Sequence, residues 1–212
     1  MNSKRLNILL IIILAANIAF TANMYFKNAR AIETLQARKK KEKSGLQYEM
    51  LAELLAGNIK MHYANENRQL PDCRVTDIMG KSSKLSSLFG KDHKLVFKYS
   101  TKNCSSCIEA ELDNVTKIAG KIGHDRCIIL TEGKGLRQVA AFVKERDLKI
   151  PVYMIPEGEV DILQRENMPF VCVMNKDLRT ELLFIPMKEL HGFSEQYYYS
   201  SVIPRFFSKN KS

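Results

Sequence analysis

The chain predicts an α/β domain with a mixed central sheet, and three observations carry that expectation. From Lys94 onward, strand-like apolar runs alternate with amphipathic stretches: strand, helix, strand, helix, then a strand pair and a last helix. A Cys104-Ser-Ser-Cys107 motif sits where the first of these strands gives way to the first helix. No internal repeat or low-complexity segment competes with that order.

The elements are expected as follows. Leu6–Phe26 is uncharged and apolar apart from Asn7, Asn17, Thr21 and Asn23. As a helix it would rise roughly 31 Å, enough to cross a bilayer core. Lys4 and Arg5 precede it, and no small-residue cleavage site follows closely. Residues 1–27 are therefore expected to be an uncleaved N-terminal transmembrane helix. Residues 28–57 read as a juxtamembrane helix or linker with an apolar stripe of Leu46, Met50, Leu51, Leu54 and Leu55, expected to pack as core. Residues 58–212 are expected to form the globular domain.

Within that domain, short strands are expected near Ile59–Tyr63 and Arg74–Ile78, then a turn at Met79-Gly80-Lys81 and a short helix at Leu85–Phe89. Strand Lys94–Tyr99, helix Ser105–Ile122, strand Cys127–Thr131 and helix Leu136–Arg146 follow. Pro151–Ile155 is a short extended piece; Phe170–Met174 and Thr180–Pro186 are strands around a polar turn, and Glu189–Phe207 is a final helix. The first two of these strands from Lys94 should be parallel, joined by a right-handed crossover.

Charge bears on location and partners. The net charge is +10, much of it between Lys27 and Lys43 and in the tail Lys209–Lys211. Lys4 and Arg5 place the N-terminal flank in the cytoplasm and the domain outside, facing the periplasm or exterior; the positive charges after the anchor argue for the reverse. The basic stretches suit either anionic lipid headgroups or a solvated face. No basic run is interleaved with aromatics, which argues against nucleic acid.

Two thiols three residues apart at a helix start can close a disulfide with little backbone movement, and the helix dipole favours thiolate at the first. Structural zinc would want a second such pair, whereas Cys73, Cys127 and Cys172 are single and scattered. Five is also an odd number, so not every cysteine can pair. Cys127 and Cys172 are expected in the core, and Cys73 is left open.

Leu70-Pro71-Asp72 with Val75–Lys81 and Leu85–Phe89, the stretch Lys94–Cys107, Ile150-Pro-Val-Tyr, and Met168-Pro169-Phe-Val-Cys-Val-Met-Asn-Lys-Asp-Leu-Arg resemble, in that order, the membrane-anchored thioredoxin-like redoxins of the cytochrome-maturation type. The resemblance covers about residues 70 to 207. It implies a thioredoxin-like fold, with Cys104 as the attacking thiol and Cys107 as the more buried resolving thiol. It also implies that Pro169 is the cis-proline facing the disulfide. Met168, Pro169 and Asn103 would border the substrate groove, with the Met168 backbone free to pair with an incoming polypeptide. Protein thiols or disulfides would be the substrates, and a membrane or periplasmic electron donor would reset the pair. The redox-active disulfide would serve without cofactor or metal.

The sequence departs from that pattern around the site. Asn103 stands where a Trp is usual, and Ser105-Ser106 replaces a Pro-containing dipeptide. Lys98 stands six residues before Cys104, where thioredoxins bury an acid. Lys98, Ser105 and Ser106 are thus candidate tuning residues, and Lys98 faces either core or solvent. A peroxiredoxin frame fails at Ser100 and Cys104. The expected activity is thiol–disulfide exchange, in the reducing direction. The alternatives are a degenerate domain that binds a partner through its groove, and a copper-handling protein using the cysteine pair.

Overall fold

The computed structural model describes Glu33, Gly45 and residues 47–160, 168–187 and 191–208. Two compact units divide the chain, Met1–Ala52 and Glu53–Ser212. In the first, the described residues are helical, and Met50, a member of the stripe expected to pack as core, is exposed. The expected anchor Leu6–Phe26 lies outside the described residues; no helix among the described ones is long and apolar enough to cross a membrane.

The second unit opens with helix α1 (residues 53–65), so Ile59–Tyr63 is helical and not the strand its apolar residues suggest. A short apolar run does not by itself distinguish the two periods. What decides is the set Asn58, Met61 and Asn65, which recurs at helical spacing and faces inward.

A seven-stranded sheet follows, in the order β2-β1-β5-β4-β3-β6-β7. Its strands are β1 (Arg74–Asp77), β2 (Ser82–Lys84), β3 (Lys94–Ser100), β4 (Cys127–Glu132), β5 (Val152–Met154), β6 (Phe170–Met174) and β7 (Thr180–Phe184). β3, β4 and β5 run parallel, and all other pairings are antiparallel. The extended piece expected at Pro151–Ile155 is a full sheet member, β5. Strands β3, β4 and β6 are buried almost throughout, as a sheet covered on both faces requires.

Helices α2 (Ser105–Ile122) and α3 (Leu136–Glu145) cover one face. Leu112, Val115 and Ile118 of α2 and Val139 of α3 meet Phe97, Tyr99 and Ile129 there. Each such large side chain, fully buried, contributes about 1.5–3 kcal/mol. The other face holds Val96, Leu130, Phe170 and Cys172 under Leu85 and Val75, with Met61 of α1 packed against them.

The last helix differs from expectation in its winding. Helix α4 (His191–Tyr197) passes at Tyr198 into a π-helical stretch that runs to Phe207 and contains Pro204. Proline has no N–H to donate to the preceding turn, and the stretch ends on a five-residue bond from the Ser208 N–H to the Ile203 carbonyl, 2.7 Å.

Strand β7 is an edge whose free side is covered by side chains. Asn58 donates to the Ile185 carbonyl and accepts from the Ile185 N–H, both at 2.8 Å. The Leu182 N–H donates to Glu66 at 2.9 Å, and the Tyr197 hydroxyl donates to the Leu182 carbonyl at 2.5 Å. The row of backbone groups that would otherwise invite another strand is thereby occupied.

Candidate active site

β3 and β4 end level with each other, Ser100 opposite Glu132, and the chain leaves β3 directly into the cysteine loop. Ligand sites in open α/β sheets lie beyond such carboxyl ends. The loop is braced from within. The Asn103 N–H donates to the Ser100 carbonyl at 3.1 Å, and the Asn103 side-chain oxygen accepts from the Ser100 N–H at 2.6 Å. The Lys102 N–H reaches the Ser100 hydroxyl at 3.3 Å. Asn103, expected at the groove, thus folds back to close its own turn and is half-buried.

Cys104 is the N-cap residue of α2; its carbonyl accepts the Ile108 N–H at 3.1 Å. Its thiol is exposed, and Sγ lies 3.1 Å from the Ser106 hydroxyl. Hydrogen bonds from the Ser106 side chain, then from the Cys107 side chain and backbone, bring the Cys104 pKa down from 9.0 to about 7. Cys107 is half-buried one turn into the helix. An exposed thiolate with a second thiol in reach is equipped for nucleophilic exchange. Of the two dipeptide residues, both exposed, Ser106 is the one that carries this effect.

The remaining cysteines are buried as free thiols. Burial pushes Cys127 up to about 12 and raises Cys172; burial, followed by the nearby Glu159 charge, raises Cys73. Only Cys104 is shifted toward thiolate among these four.

Lys98 points into the core and forms an ion pair with Glu132, both side chains less than a tenth exposed. Its ammonium lies 5.9 Å from the centre of the Phe170 ring. Glu132 was not singled out from the sequence. Its signal was a single acid ending an apolar strand, legible only once β3 and β4 are known to be neighbours. Its other oxygen accepts the Gly158 N–H at 2.9 Å, and its carbonyl accepts the Thr101 N–H at 3.3 Å. Lys102 and Glu157 form an exposed ion pair between the same two loops.

Met168 and Pro169 lead into β6, whose first residue, Phe170, stands opposite Lys98. Pro169 is buried and Met168 half-buried against the core. The Met168–Pro169 peptide bond is trans, correcting the expected cis geometry. An X-Pro bond intrinsically favours trans by about 0.5–1 kcal/mol. Among the described residues no group of three or more His, Cys, Asp or Glu side chains could hold a metal ion.

No family model matches the chain, and no curated protein matches it by sequence. Its likeness is structural. A thiol:disulfide interchange protein from Bacteroides sp. superposes with a TM-score of 0.52 at 13% identity, over 69% of this chain and 93% of that one. A protein provisionally assigned as the thiol:disulfide interchange protein DsbE of Chlorobium tepidum gives 0.50 at 13% identity, over 64% and 96%. At these identities the likeness is one of fold. The domain is a thioredoxin-like α/β fold built on a central mixed sheet.

Proposed function

We propose that the protein is a thiol–disulfide oxidoreductase acting through Cys104 and Cys107, in the reducing direction. The observation that carries this reading is the exposed Cys104 thiol at the start of α2, held near pKa 7 by Ser106 and Cys107. The structural neighbours that share the fold include thiol:disulfide interchange proteins, in support.

In the proposed cycle the Cys104 thiolate attacks one sulfur of a protein disulfide, and the other substrate sulfur leaves as thiolate and takes up a proton. Cys107 then loses its proton and attacks Cys104 Sγ. The mixed disulfide breaks, the substrate leaves as a dithiol reduced by two electrons, and Cys104–Cys107 remains as the oxidised pair. A membrane or periplasmic dithiol donor would return those electrons. Leu6–Phe26 would anchor the protein in the cell membrane as a single span touching lipid, with the domain outside. Met168, Pro169 and the Asn103 loop would border the substrate.

The test is the reduction potential of the pair in the full chain, set by glutathione or dithiothreitol buffers and read by mass shift after thiol alkylation. A reversible couple at or below about −220 mV supports a reductase, and one near about −120 mV reverses the direction. Absence of a Cys104–Cys107 disulfide at every poise, or full exchange activity in Cys104→Ser, would overturn the mechanism.

A further inference from the structure

At the opposite pole of the sheet from Cys104 and Cys107 lies a polar cleft of about 390 Å³. It sits where β3 and β4 begin, between the residues that lead into Lys94, the Arg126 turn before Cys127, and the last π-helical turn. The length of β3 alone puts it roughly 20 Å from the cysteine loop. Nothing in the proposed exchange chemistry uses it.

Its walls carry Lys91, His93, Arg126 and Arg205, against one lining acid, Asp92. Two of these basic groups are already fixed. Glu181 accepts from His93 Nε2 at 3.1 Å and from Arg205 Nη2 at 3.2 Å. The Phe206 ring packs against both, 5.0 Å from the His93 ring and 4.9 Å from the Arg205 guanidinium. Lys91 and Arg126, in contrast, have no carboxylate partner among the described residues, and Arg126 is half-buried.

We propose that this cleft binds a phosphate group carried on a small organic moiety. Arginine presents a planar fork that matches phosphate oxygens two at a time, and lysine adds a point charge. A guanidinium braced by Glu181 and Phe206 loses little freedom on binding. The volume exceeds what a bare phosphate needs, and Pro204 and Phe206 offer an apolar wall for the rest of the ligand. A soluble phosphomonoester and the phosphodiester of a lipid headgroup share this chemistry.

The test is calorimetric titration of the full chain, kept in nonionic detergent, with inorganic phosphate, glycerol 3-phosphate and glycerophosphoglycerol. Acetate at matched ionic strength is the control anion. At least one of the two organic phosphates should bind saturably and more tightly than inorganic phosphate, and Arg126→Gln and Lys91→Gln should each weaken it about tenfold, the loss of one charge-assisted contact. Preference for the monoester assigns a soluble ligand, and preference for the diester a headgroup. Lys91 is exposed, so Lys91→Gln remains informative if Arg126→Gln disturbs folding. An unchanged rate of Cys104 alkylation in both variants keeps this outcome separate from the redox reading. No saturable binding, equal binding of acetate, or affinity unchanged in both variants would overturn the proposal.

Discussion

Lys98 on β3 and Glu132 on β4 form an ion pair inside the sheet, at the carboxyl ends of two parallel strands and directly below the loop that carries Cys104. Taking either charge out of water is costly, and only the partner offsets it. Removing one member should therefore be far worse than removing both. Lys98→Met or Glu132→Leu alone is expected to cost about 3–5 kcal/mol, and the double variant Lys98→Met/Glu132→Leu much less. Urea melts of the four proteins, closed as a double-mutant cycle, check this; equal and additive losses would show that the pair is not coupled.

Cys104 reactivity should follow the thiolate fraction. With the pKa lowered to about 7, alkylation is expected to rise through pH 7 and level off by about pH 8.5. The Ser106 hydroxyl is the first cause of that lowering, so Ser106→Ala should move the midpoint upward and slow alkylation at pH 7. Ser105→Ala should leave the midpoint where it is. Cys73, Cys127 and Cys172 are buried, with their thiols shifted the other way. They should label only after unfolding. Rates of iodoacetamide capture against pH, read by mass spectrometry, separate all these cases.

How much of this was legible in the sequence depends on the range of the interaction. Helix α2 begins and ends where its apolar spacing says, because Leu112, Val115 and Ile118 recur on one face within a single element. The burial of Cys172 followed from alternation with Phe170 and Met174 in β6. Lys98 could not be assigned a side, since its burial depends on Glu132, which lies 34 positions away in sequence and beside it only when β4 pairs with β3. Asn103 was read as a groove residue from the position it occupies in the resemblance. Its bond to the Ser100 N–H, a local contact that a Trp there could not make, was not legible from that position alone.

Gly133 packs against the cysteine loop at Thr101. It adopts φ +79°, and a Cβ built there would come within 2.4 Å of the Thr101 hydroxyl, three residues before Cys104. An alanine must bear both a left-handed backbone and a displaced Thr101. Gly133→Ala is expected to lose about 1–3 kcal/mol and to alter Cys104 alkylation, since Thr101 moves with the loop. Adding Thr101→Ala removes the clash but not the backbone strain, so the double variant should recover part of the loss. Thermal melts and alkylation rates together test this; a Gly133→Ala protein as stable and as reactive as the parent would show that the loop adapts freely.

Asn58 presents a side-chain amide to Ile185, just past the end of β7, as a neighbouring strand would. Its amide donates to the Ile185 carbonyl and its oxygen accepts the Ile185 N–H, each at 2.8 Å, across 127 positions of sequence. Asn58→Ala would leave both backbone groups unpaired behind α1, a cost of about 1–3 kcal/mol for each group that water does not reach. Asn58→Asp keeps the acceptor but replaces the donor with a charge facing a carbonyl, so it should be no better than alanine at neutral pH. Asn58→Gln retains both functions on a longer arm and should recover part of the loss. The freed edge adds a second consequence, because unpaired strand groups template association. Amide hydrogen exchange at Ile185 and light scattering on warming read the two effects independently. Protection at Ile185 unchanged in Asn58→Ala would mean that the strand end is held by something other than this side chain.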